Sequence, residues 1–101
     1  MKIAIASEEK DEKGQISDRA GRASNYLIFE DKKLVETIKN PFSVGSGGAG
    51  FSVAKMLADM NVDVVVAVKF GDKMIGALDE RDVKYKELSG SIQEALVNLL
   101  S

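Results

Sequence analysis

The chain has 101 residues, enough for one domain with a modest core and too few for two. Fourteen basic against sixteen acidic residues give a formal net charge of −2, which supplies no general attraction to nucleic acid or to an anionic membrane surface. Cysteine and histidine are both absent, which excludes disulfides, thiolate chemistry, the commonest metal ligand and every Ser-His-Asp or Cys-His constellation.

In chain order, the β-branched run KIAIAS (residues 2–7) predicts a strand, followed by the charged, glycine-containing loop EEKDEKGQ. That first apolar run is far too short for a secretory signal, and no later stretch reaches the roughly 20 residues a membrane span needs. A soluble, cytoplasmic protein without a membrane partner is therefore expected. SNYLIFED and KLVETIKN (24–31 and 33–40) read as an antiparallel hairpin turning at Asp31 and Lys32. Asn40-Pro41 ends it, because proline pushes the preceding residue away from helix. A glycine loop follows, and from Gly50 the apolar positions Val53, Ala54, Leu57, Ala58 and Met60 recur at near-helical spacing, with Lys55 and Asp59 left for solvent. VDVVVAV (62–68) predicts a strand buried on both faces. DKMIGALDE after Gly71 predicts a short helix, VKYKEL a strand, and SIQEALVNLL a terminal helix with Ser91 and Glu94 forming a capping box. The order β-β-β-α-β-α-β-α mixes a hairpin with βαβ crossovers, so the expectation is a single α/β domain with a mixed sheet of about five strands flanked by helices.

Several stretches carry chemical possibilities. SVGSGGAG, opening a helix, suits an anion cradle in which backbone amides and the helix dipole converge. The same loop suits a plain helix entry with close backbone packing. Its spacing fits neither the P-loop nor the dinucleotide fingerprint. DRAGRA sets Arg19 and Arg22 around Gly21, either as two guanidinium forks over an anion or as solvated arginines paired to carboxylates. Open α/β sheets favour ligands at the edge where such loops meet. Phe70-Gly71-Asp72-Lys73 is a strand-to-helix turn and a candidate third wall of that crevice. The acidic cluster Glu8, Glu9, Asp11 and Glu12 alternates with lysines, fits no EF-hand and reads as a solvated loop. Met56, Met60 and Met74 read as core packing rather than soft ligands. A two-metal nuclease is disfavoured because the first strand contains no Asp or Glu.

Taken together, ISDRAGRASNYLIFED after a first strand, then GGAGFSVAKMLADM opening a helix, a buried strand, Gly71 and a final strand and helix resemble the dinitrogenase iron-molybdenum cofactor biosynthesis family. The likeness spans nearly the whole chain, 1–101. It implies a ribonuclease-H-like fold and a cytoplasmic, non-catalytic domain that binds or carries an iron-molybdenum or iron-sulfur cluster, with a cluster-assembly or acceptor protein as partner. Relatives commonly show a His-Phe pair where this chain has Arg19 and Ala20. Without Cys or His, direct ligation of iron or molybdenum has no soft donor here except methionine thioether. The expected cofactor-binding residues are therefore Arg19, Gly21, Arg22, Ser46, Gly47, Gly48, Gly50 and Gly71, holding an anionic ligand through charge and amides with no metal ligand of their own. The alternative is a structural or protein-interaction module that keeps the fold without cofactor. Neither oligomeric state nor ligand identity leaves a residue signature.

Overall fold

The structure, a computed structural model, describes residues 1–45 and 48–100. Five strands, β1 (Lys2–Ser7), β2 (Asn25–Glu30), β3 (Lys33–Lys39), β4 (Val64–Ala67) and β5 (Lys84–Glu87), form one sheet of order β3-β2-β1-β4-β5. Helices α1 (Ala49–Asp59), α2 (Asp72–Glu80) and α3 (Ile92–Leu100) complete the expected β-β-β-α-β-α-β-α order of a mixed-sheet α/β domain.

The two-residue period of an extended chain divides the core into two layers. Ala4 and Ala6 of β1, Tyr26 and Ile28 of β2, and Val65 and Ala67 of β4 face one layer with Val53, Ala54 and Leu57 of α1 and Met74, Ala77 and Leu78 of α2. Ile3 and Ile5, Leu27 and Phe29, and Val64 and Val66 face the other, covered by Ile92, Ala95 and Leu96 of α3. The central strands read as continuous apolar runs for this reason: both of their faces are dry. Each fully buried Leu or Ile contributes about 1.5–3 kcal/mol.

The two edges of the sheet are shielded differently. Along β3 a bulge opposite Ile28 and Phe29 leaves Val35 outside the pairing, and Lys33 and Lys39 are exposed. Both features discourage pairing with another chain. β5 is short and carries Lys84 and Lys86. The Ser91 cap forms as expected: its Oγ accepts the Glu94 N–H at 3.1 Å and donates to Glu94 Oε1 at 2.9 Å.

Strand direction determines where the loops gather. β1 runs parallel to β4 and β4 parallel to β5, while β2 is antiparallel to β1 and to β3. The carboxyl ends of β1, β3, β4 and β5 therefore lie at one end of the sheet, beside the start of β2. Residues 8–24, those following Lys39, 68–71 and 88–91 all meet there. At the opposite end the chain turns within 31–32, 60–63 and 81–83, with Asp31, Asn61 and Asp82 in the left-handed region at φ 54°, 62° and 58°. Among the described residues no helix is long and apolar enough to cross a membrane.

Candidate functional site

The loop before β2 is bound to the core by buried side chains. The Ser17 N–H donates to Ala6 O at 2.8 Å, carrying the chain back across the end of β1. The hydroxyl of fully buried Tyr26 donates to Ala20 O. Burial pushes that phenol above its ordinary range, so it remains a donor. Asn40, at the end of β3, donates from Nδ2 to Gly21 O at 3.0 Å and to Ala23 O at 2.9 Å. Its Oδ1 accepts the Phe42 N–H at 2.9 Å, and its carbonyl accepts the Ser43 N–H at 3.3 Å. That is an Asx turn on Asn-Pro, a local preference of this dipeptide.

Arg22 joins the two loops. Its Nη1 donates to Phe42 O at 3.2 Å and lies 3.7 Å from where a Cβ on Gly45 would stand. No carboxylate among the described residues pairs with it. One carbonyl uses one of five guanidinium N–H donors, which leaves the cation largely uncompensated.

Gly21, Arg22, Ala49, Gly50, Gly71, Asp72, Lys73 and Met74 line a crevice of about 360 Å³ at this end of the sheet. Three backbones meet closely behind it. A Cβ on Gly21 would stand 3.1 Å from Gly50 N, and one on Gly50 would stand 2.9 Å from Met74 Cβ. Glycine at 50 therefore lets α1 and α2 approach at their first turns. Gly48, the residue before α1, has φ 70° and needs glycine for that reason. Neither α1 nor α2 has a side-chain cap, since Gly48 and Gly71 occupy the cap positions. Their first-turn amides lack partners within the helix, and both positive dipole ends point to the edge where Arg22 sits. Asp72 is the opposing charge, in the first turn of α2.

Of the residues expected from sequence, Gly21, Arg22, Gly50 and Gly71 thus share one crevice, and Gly48 abuts it through α1. Ser46 and Gly47 lie outside the described residues. Arg19 is not among the lining residues: its Nη2 pairs with Glu8 Oε1 at 3.2 Å. Glu8 also accepts Ser17 Oγ at 2.5 Å and Ser24 Oγ at 2.8 Å, so one carboxylate of the expected solvated acidic loop ties the 17–24 segment to β1. Partial burial opposes its ionisation, but the two serine hydroxyls and the Arg19 cation outweigh that and hold it below the ordinary carboxylate value. Asn40, Phe42 and Glu8 were not among the expected residues, while Asp72 and Lys73 line the crevice as part of the Phe70-Gly71-Asp72-Lys73 turn offered as its third wall. Asn-Pro was the available signal for Asn40, whereas Glu8 had none beyond charge. Met74 is buried against Gly50, and Met56 and Met60 pack on the same core. No group of three or more Asp or Glu among the described residues is placed to hold a metal ion.

A larger cavity, about 660 Å³, opens at the opposite end between Met1, Val64, Tyr85 and Leu99. Its cations are the Met1 ammonium, paired with Asp31, and the edge lysines Lys84 and Lys86, with Asp79 and Asp82 in the same lining. Size alone favours it. Convergence of uncompensated donors favours the smaller crevice.

A mixed sheet with helices on both faces and glycine-opened helices meeting at one loop-bearing end defines a class of small α/β domains with a ligand-sized crevice at the strand ends. The chain belongs to the dinitrogenase iron-molybdenum cofactor family, which it matches over residues 1–101. It is a small, cofactor-related domain. Among solved structures it is similar to the apo form of the orange protein from Desulfovibrio gigas, with 26% identity and a TM-score of 0.90 over 98% of this chain and 86% of that one. It is also similar to a putative NifB protein from Thermotoga, with 28% identity and a TM-score of 0.79 over 97% of this chain and 85% of that one. No curated protein sequence matches it significantly.

Proposed function

We propose that this chain is a non-catalytic, cytoplasmic binding or carrier domain that holds an anionic cofactor as cargo in the crevice of Arg22, Gly21, Gly50 and Gly71. A cluster-assembly or acceptor protein is its partner in transfer. The observation that carries the reading is the convergence of one uncompensated guanidinium with the uncapped starts of α1 and α2 on a single cavity. Such a site stabilises negative charge without supplying a general acid, base or nucleophile.

The donor set decides how a metal-sulfur cargo would be held. Direct ligation of iron or molybdenum does not fit, because the chain has neither Cys nor His and the thioether lining the crevice belongs to a buried, packed methionine. Outer contacts fit better: Arg22 offers a planar fork to acceptor atoms, and the helix starts offer amides. Affinity then comes from charge and hydrogen bonds, which suits cargo that must leave again.

The test is an anaerobic titration with isolated iron-molybdenum cofactor, following visible absorption and iron and molybdenum per chain after gel filtration. Stoichiometric loading of the wild type, lost in Arg22→Ala, is the expected result. A colourless, metal-free protein at every ratio overturns the carrier reading and favours a protein-interaction module that keeps the fold without cargo.

A further inference from the structure

Asn40 is 1% exposed, and each polar atom of its side chain is engaged. Its two Nδ2 bonds go to the carbonyls of Gly21 and Ala23, one on either side of Arg22. Because a peptide group is planar and trans, holding those carbonyls toward Asn40 turns the N–H groups of Arg22 and Ser24 the other way. The backbone N–H of Asn40 adds a bond to Ser24 O at 2.9 Å. Its Oδ1, meanwhile, holds the N–H of Phe42, whose carbonyl is the acceptor for Arg22 Nη1. One buried side chain therefore constrains Arg22 twice, through the Gly21–Arg22 peptide and the Ala23–Ser24 peptide just beyond it, and through the carbonyl that aims its guanidinium.

We infer that Asn40 is the positioning residue of the crevice, fixing the Arg22 guanidinium relative to the starts of α1 and α2. The inference deepens the binding proposal and rests on it for its functional consequence, but its structural half stands without ligand. Tyr26 is the natural contrast: it is equally buried and bonds the same loop at Ala20, yet its hydroxyl makes no bond to the described residues of the loop after β3. Loss of the Tyr26 hydroxyl loosens one loop. Loss of the Asn40 amide uncouples two.

The experiment uses the full chain as wild type, Asn40→Ala, Asn40→Ser and Tyr26→Phe. In ligand-free protein, amide hydrogen exchange and the Arg22 Nε–H resonance report the coupling. In Asn40→Ala, exchange should accelerate at Phe42 and Ser43 and the Arg22 signal should broaden or shift, with the β1, β2 and β4 amides still protected. Asn40→Ser retains an oxygen able to accept the Phe42 N–H and should restore part of that protection. Tyr26→Phe should leave Phe42 unchanged.

Inorganic molybdate, a simple dianion, then reads the consequence. Asn40→Ala should weaken it about tenfold in the wild-type background and less than about twofold on Arg22→Ala, the non-additivity expected when one residue acts through another. Equal losses in both backgrounds, or an unmoved Arg22 signal in Asn40→Ala and Asn40→Ser, would overturn the inference. If the wild type binds neither molybdate nor cofactor, the crevice reading fails, and the exchange data alone still decide whether Asn40 holds Arg22.

Discussion

At the Asp31, Asn61 and Asp82 end of the sheet the chain reverses within a few residues, and bonds between neighbouring strand ends satisfy much of the backbone. The Asp63 N–H donates to Lys2 O at 2.8 Å, Lys84 N–H to Asp63 O at 3.1 Å, and Lys2 N–H to the Asp63 carboxylate at 2.7 Å. At the other end the 8–24 loop runs longer, and its own bonds, Glu8 to Ser17 and Ser24 among them, leave carbonyls to be held from elsewhere. Side chains reaching in from the core, Tyr26 and Asn40 among them, hold carbonyls of that loop, and α1 and α2 begin without a side-chain cap, unlike α3 with its Ser91 cap. The contrast is one of available donors rather than of room, since the larger cavity lies at the first end. The first end spends its polar groups on strand ends, whereas the second keeps the α1 and α2 amides and a guanidinium available beside its crevice.

Five substitutions test that contrast, in decreasing order of expected effect. Gly50→Ala places a Cβ 2.9 Å from Met74 Cβ, so α1 and α2 must separate. Urea denaturation should show a loss of about 1–3 kcal/mol despite the better helix propensity of alanine. Unchanged stability would mean that the two helix starts are not locked together.

Arg22→Ala and Arg19→Ala separate the two arginines. Removing Arg22 should cut affinity for molybdate or isolated cofactor about tenfold or more, as when a charged hydrogen-bond donor worth about 1.5–3 kcal/mol is lost. Removing Arg19, exposed and paired with Glu8, should change affinity less than about twofold. Equal effects from both, measured by calorimetric titration, would break the distinction between a crevice cation and a loop-stapling one.

Gly76→Ala isolates propensity from packing, because nothing lies within 4 Å of its added Cβ. The change should stabilise the protein by about 0.5–1 kcal/mol, the opposite sign to Gly50→Ala.

Glu8→Gln is the smallest. Glu8 is held below its ordinary value of 4.5 in the folded state, so its contribution to stability is present above that value. It fades as pH falls through the lower folded value. The carboxylate side chain is 44% exposed, which limits the effect to a few tenths of a kcal/mol after solvent screening. Thermal melts between about pH 5 and 3 should fall less steeply in Glu8→Gln, while the two proteins converge at the acid end.

The order of elements was legible because periodicity survives in a single sequence. Val64 to Ala67 could only suit a doubly covered strand, and Val53, Ala54 and Leu57 could only share one helix face. Boundaries were less sharp. α1 begins at Ala49, one residue earlier than its apolar spacing suggests, because left-handed Gly48 starts the turn, and β5 is two residues shorter than VKYKEL. The crevice was half legible. Gly21, Arg22, Gly50 and Gly71 stand out by residue type, but whether they converge depends on which ends of β2, α1 and α2 lie together.

Sequence by itself determined the elements, the two-sided core and the chemistry the chain lacks, because hydropathy, turn preference and the absence of Cys and His are local properties. Tertiary structure alone decided that Arg19 is diverted to Glu8 while Arg22 remains beside the crevice, and that Asn40 spans both loops. Those outcomes depend on strand direction and on pairings 11 to 19 residues apart along the chain, distances at which no local preference constrains which polar groups meet.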